Sequence, residues 1–130
     1  MVDDHEVVLR TWKTLLENNP DFKVVGECLN GKDALSLTDS LHPDIILVDI
    51  KMSPMNGFDL TSHLIKKHPN ILIIGLSVNN QPSYAKKIMD LGAKGYLTKT
   101  STLREINHAI QVVFNGETYV CEEIAKKLKV

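Results

Sequence analysis

The sequence predicts an α/β fold: one doubly wound parallel sheet with helices on both faces. Three observations carry that prediction. Short apolar runs alternate with stretches of helical periodicity along the whole chain. Residues 45–48 and 71–76 carry no polar side chain, the pattern of strands buried on both faces. The polar residues of interest fall where those runs end. Asp49 follows Ile45-Ile46-Leu47-Val48, Ser77 follows Leu76, Lys99 follows Thr98, and Asp3 and Asp4 precede the first helix. Right-handed crossovers bring all of them to the carboxyl edge of the sheet, where open α/β folds bind ligands.

The elements follow in order. Val8, Trp12, Leu15 and Leu16 keep helical spacing up to Asn18-Asn19-Pro20, and Asp3-Asp4 suits a helix start. Trp12 is read either as a core aromatic or as an exposed dimer contact. Residues 22–28 read as a strand, and Asn30-Gly31 as a turn. Ala34, Leu37 and Leu41 line a second helix that stops before Pro43. A loop, 50–57, follows the central strand. Leu60, Leu64 and Ile65 mark a third helix ending near His68-Pro69. Asn79-Asn80-Gln81-Pro82 opens a fourth, with Ala85, Ile88, Met89 and Leu91 inward and Gly92 at its end. Residues 94–98 form a short strand. Ser101 or Thr102 caps a helix bearing Leu103, Ile106, Ile110 and Val113. Asn115-Gly116 stops it, 117–120 is extended, and 121–130 suits a short basic helix.

At 130 residues and 43% hydrophobic content, the chain is one domain with a sizeable core. A net charge of -1 implies no broad basic surface for nucleic acid. Lys126, Lys127 and Lys129 are read as a solvated face. Cys28 and Cys121 lack metal spacing and read as plain thiols of a reducing compartment. With no membrane-length apolar run and no signal peptide, a cytoplasmic location is expected.

Three carboxylates and one lysine at one sheet edge suit a hard divalent cation, which takes oxygen ligands and partners phosphate. The Asp49 carboxylate is then placed to attack phosphorus as a nucleophile, giving an acyl phosphate. Lys99 neutralises a second phosphoryl oxygen and the Ser77 hydroxyl donates to a third. Against this stand plainer roles: a turn cap for Asp49, a helix cap for Ser77, a solvated cation for Lys99.

The stretches Val2-Asp3-Asp4-His5-Glu6, Val24-Val25-Gly26-Glu27, Asn30-Gly31, Pro43-Asp44-Ile45-Ile46-Leu47-Val48-Asp49-Ile50-Lys51-Met52, Asn56-Gly57, Leu76-Ser77 and Leu91-Gly92-Ala93-Lys94-Gly95-Tyr96-Leu97-Thr98-Lys99 span nearly the whole chain. Together they resemble the receiver domain of bacterial two-component response regulators. Val-Asp-Asp-His and the stretch 115–120 look most like the NarL/FixJ-type subfamily, with its LuxR-type output. The resemblance implies a flavodoxin-like, five-stranded parallel sheet in the order 2-1-3-4-5. It implies Asp49 as phosphoacceptor, taking a phosphoryl group from a sensor histidine kinase. Mg²⁺, or Mn²⁺, is expected on Asp3, Asp4, Asp49 and the backbone carbonyl of Lys51. Ser77 stands at the switch hydroxyl, Lys99 at the family's lysine, and Tyr96 at the switch aromatic, whose ring turns inward when the hydroxyl moves.

Residues 1–116 are expected to form the receiver, and 117–130 the start of a linker to an output domain absent here. DNA is expected as a partner through that domain alone, homodimerisation on phosphorylation is expected, and no membrane is. The chain promotes its own phosphorylation and dephosphorylation without being an enzyme. Two other readings stand beside this one: a pseudo-receiver that binds a partner independently of phosphate, and a small phosphatase with an aspartyl nucleophile. The latter class wants an Asp where this chain has Lys51. One departure is large: Met1 and Val2 alone precede the acidic pair, so the first strand is expected to be largely missing.

Overall fold

A computed structural model describes residues 1–78 and 80–128. Asn79, expected to open the fourth helix, and Lys129 and Val130 of the basic tail lie outside the described residues. Helix α1 (Glu6–Glu17) buries Leu9, Trp12 and Leu16. At 4% exposure Trp12 is a core residue, which settles its two readings. Helix α2 (Gly31–Leu41) starts where the Asn30 side chain accepts the Asp33 amide at 2.8 Å, and ends at His42 in the left-handed region, φ 47°. Strand β1 (Ile45–Asp49) leads to α3 (Gly57–Lys67), capped by Asn56 on the Asp59 amide at 2.9 Å. Strand β2 (Leu72–Ser77) leads to α4 (Pro82–Asp90), with its proline in the first turn as expected. Strand β3 (Gly95–Thr98) leads to α5 (Leu103–Phe114). Of the two candidate caps, Thr102 does the work, accepting the Glu105 amide at 3.1 Å. Strand β4 (Tyr119–Val120) and α6 (Glu122–Leu128) complete the chain.

The sheet has the order β1-β2-β3-β4 and every neighbouring pair is parallel. Asp49 lies opposite Leu76, and Ser77 opposite Thr98. This register levels the strand ends, so Asp49, Ser77 and Lys99 emerge side by side. Ile46, Leu47, Ile73, Ile74, Leu76 and Leu97 form the sheet's share of the core, closed by Leu60, Leu64, Ile88, Ile106 and Val113 from the helices. Gly57 seats α3 against the end of β1. Its amide donates to the Ile50 carbonyl at 2.7 Å, and a Cβ there would meet the Asp49 carbonyl oxygen at 2.4 Å.

Two expectations need correction. Residues 22–28 form no strand, and the sheet has four strands among the described residues, not five. A strand exists through ladder partners. The expected neighbour of 22–28 supplies one paired residue, Val2, which bridges Cys28 on one side and Val48 on the other, both parallel. The order 2-1-3 thus survives as a single bridged row, and the fourth strand of the sheet is β4, outside β3. Beside that row there is a cavity of about 540 Å³. It lies between residues 22–26 and β1, and Met1 and Val2 close one end.

Candidate functional site

Although the row containing Val2 is short, it places the acidic pair. The Val2 amide donates to the Leu47 carbonyl at 2.8 Å and its carbonyl accepts from the Asp49 amide at 2.9 Å. Asp3 therefore emerges level with Asp49. Asp3 is fully buried, and Asp49 is 2% exposed. The Asp3 carboxylate accepts the His5 backbone amide at 2.9 Å, which fixes the turn into α1. His5 Nδ1 sits 3.1 Å from Asp3 Oδ1 and 2.9 Å from Asp4 Oδ1.

Lys99 reaches across from the end of β3. Its Nζ is 2.7 Å from Asp3 Oδ2 and 3.2 Å from Asp49 Oδ1. The Asp3 contact is the shorter of the two, a charge-assisted ion pair. Asp49 Oδ2 is buried with no hydrogen-bond partner. Burial, and then the charge of Asp3, push the Asp49 carboxyl up to about 6 despite Lys99. For Lys99, burial acts to lower its pKa. The bond to Asp3 and the charges of Asp49 and Asp3 outweigh burial and raise it.

Ser77, at the end of β2, is 1% exposed, and its hydroxyl is engaged with that of Tyr96. The Tyr96 ring is fully buried, and burial pushes its hydroxyl up to about 12. Lys51 follows Asp49 by two residues. Its ammonium lies 5.8 Å from the Tyr84 ring.

The structure brings Asp3, Asp4, Asp49 and Lys99 together, with Ser77 one strand over and Tyr96 behind it. Sequence reasoning missed one group. Ligand atoms of Asp3, Asp4, His5 and Asp49 all lie within 4.8 Å of one another. The signal for His5 was its place directly after the acidic pair. A largely carboxylate set holding one buried, unpartnered oxygen fits a hard divalent cation. This cluster has the chemistry to hold a metal ion.

A receiver-domain model of response regulators matches residues 1–111. The chain belongs to the response regulator receiver domain family. It is similar to the response regulator GacA of Pseudomonas viridiflava, with 33% identity over 98% of this chain and 60% of that protein. It is also similar to the transcriptional regulatory protein YdfI of Bacillus subtilis (strain 168), 36% identical over 99% of this chain and 60% of that one. The chain thus spans about 60% of the length of these curated relatives. Among solved structures, a LuxR-family two-component response regulator from Aurantimonas sp. SI85-9A1 superposes with a TM-score of 0.94. That match covers 98% of this chain and 91% of that one, at 28% identity. The four-stranded sheet with its flanking helices is therefore a receiver fold, and the domain serves two-component signalling. Among the described residues, no helix of this receiver is long and apolar enough to cross a membrane.

Proposed function

We propose that Asp49 is the phosphoacceptor of this receiver and takes a phosphoryl group from a histidine kinase. The observation that carries this reading is the Lys99 bridge: one partly buried cation holds Asp49 Oδ1 and Asp3 while Asp49 Oδ2 stays without a hydrogen bond. In the transfer, a carboxylate oxygen of Asp49 bonds to phosphorus. The bond from phosphorus to the donor imidazole breaks, and the imidazole leaves and takes up a proton. Asp3, Asp4, Asp49 and the Lys51 carbonyl are the residues that would hold Mg²⁺ or Mn²⁺. When bound, such an ion offsets phosphoryl charge. Lys99 pairs with one phosphoryl oxygen. The Ser77 hydroxyl leaves Tyr96 and donates to another, so a new dianion at Asp49 pulls on the loop after β2.

The names of the relatives, a transcriptional regulatory protein and a LuxR-family regulator, support a readout in transcription through a DNA-binding output domain. The signalling unit, expected at residues 1–116, takes in β4, which pairs with β3, and α6, which buries Ile124, and the approach to that domain follows them. The receiver promotes its own loading and hydrolysis and turns over no free substrate.

The test is incubation with Mg²⁺ and acetyl phosphate followed by intact mass, with Asp49→Ala alongside. A phosphoryl-sized gain in the parent and none in the variant is expected. A gain that persists in Asp49→Ala, or no gain in a folded parent, sinks the assignment.

A further inference from the structure

Lys99 engages one oxygen of each buried carboxylate, Asp3 Oδ2 and Asp49 Oδ1. That leaves Asp3 Oδ1 and Asp49 Oδ2. Asp49 Oδ2 is buried and has no hydrogen bond. Asp3 Oδ1 faces His5, whose Nδ1 is 3.1 Å from it and 2.9 Å from Asp4 Oδ1. Ligand atoms of Asp3, Asp4, His5 and Asp49 lie within 4.8 Å of one another, and among the described residues no other set of three or more such side chains does so.

These spacings fit the ligand shell of an ion. In an octahedron with bonds of about 2.1 Å, neighbouring ligand atoms sit about 3.0 Å apart. The two His5 contacts lie on either side of that value. A single N–H cannot aim straight at both carboxylate oxygens, whereas an ion seated beside the three atoms bonds to them all. The His5 backbone is fixed from within the cluster, because its amide donates to Asp3 Oδ1 at 2.9 Å. His5 is the N-cap of α1 but makes no side-chain cap bond, so its imidazole has no capping duty. That side chain is 66% exposed, which leaves room for the waters that complete a shell.

We propose that His5 is a nitrogen ligand of the cluster and biases it toward first-row transition ions over Mg²⁺. The proposal rests on the reading that the acidic cluster holds a divalent cation. Mg²⁺ is bound through oxygen and keeps several waters, so it gains little from an imidazole. Co²⁺, Ni²⁺ and Zn²⁺ take a neutral imidazole readily. Nδ1 then faces the ion and Nε2 keeps the proton. Whatever preference the three carboxylates have between these ions, His5 widens it, because its nitrogen adds a bond that one class of ion uses and the other does not.

Calorimetric titrations of the full chain with Mg²⁺ and with Co²⁺, in the absence of any phosphodonor, test this against His5→Ala and His5→Asn. His5→Ala is expected to weaken Co²⁺ binding by about tenfold or more and Mg²⁺ binding by less than about twofold. His5→Asn, which offers an amide oxygen in place of the nitrogen, keeps Mg²⁺ and does not restore Co²⁺. Pulsed EPR of bound Mn²⁺ should show one imidazole nitrogen in the parent and none in His5→Ala. An equal loss of both ions, or Co²⁺ binding unchanged in His5→Ala, overturns the proposal. So does a parent without the nitrogen coupling, or a coupling that persists in His5→Ala and so puts the ion on another histidine. A folded parent that binds neither ion overturns the metal reading of the cluster along with it, while the mass assay still decides the role of Asp49 separately.

Discussion

At the residue scale, the acidic edge is held in tension by one cation. Asp49 titrates near 6 where an ordinary aspartate titrates at 3.8. The folded chain therefore binds a proton at Asp49 more tightly than the unfolded chain does. Stability from this group is present below the unfolded value and is lost as pH rises through about 6. Asp49→Asn is thus expected to raise stability at pH 7 by about 2 kcal/mol and to flatten the pH dependence of Tm between pH 4 and 7. Urea melts of both proteins across that range check the sign; a less stable Asn variant refutes it. Lys99→Ala acts in the opposite direction. It leaves two buried carboxylates facing each other without their cation, and should cost about 3 kcal/mol at neutral pH. Gly57→Ala tests the seat of the site. A Cβ there meets backbone atoms of Asp49 and Ile50 at 2.4 and 2.6 Å, so either β1 or α3 must move. A loss of about 2 kcal/mol together with slower phosphorylation is expected, and the mass assay above reads the second effect.

At the element scale, the strands and helices whose partners lie inside the chain were legible. Runs such as residues 45–48 and 71–76 can be buried on both faces in one way, between neighbours in a parallel sheet. Their carboxyl ends then had to converge, and Asp49, Ser77 and Lys99 do so. Residues 22–28 have strand-like composition, but the ladder that makes a strand depends on a second chain segment that local pattern does not report. The contact between Ser77 and Tyr96 was not legible for the same reason: it spans two strands and depends on register. So does the fastening of β4 and α6. The Glu105 carboxylate accepts the Tyr119 hydroxyl at 2.7 Å and the Glu122 amide at 2.8 Å, holding the end of the chain to α5. Burial, and then this bond, raise the Tyr119 hydroxyl. Glu105→Ala should release both donors and speed amide exchange through α6, while amides of β1 and β2 keep their protection. Exchange unchanged in α6 refutes the clip.

For the whole molecule, the acidic cluster is expected to tie folding to divalent ions. A cation that binds the folded acidic cluster and not the unfolded chain stabilises by mass action, about 2.7 kcal/mol at a hundredfold excess over its Kd. Melting temperature should therefore climb with Mg²⁺ and fall back on chelation, and Asp3→Asn should blunt the climb. A Tm indifferent to Mg²⁺ argues against a metal at this edge. The two thiols take no part in such switching. Burial raises both Cys28 and Cys121, so they stay protonated and slow to alkylate until the chain unfolds. All of these melts can be followed without a label. The chain carries one tryptophan, and Trp12 is sealed in the core against the sheet. Its emission is expected to be blue-shifted in the folded protein and to move to the red as water reaches the ring. Every spectral change therefore has a single address on α1, and α1 begins one residue after the acidic pair.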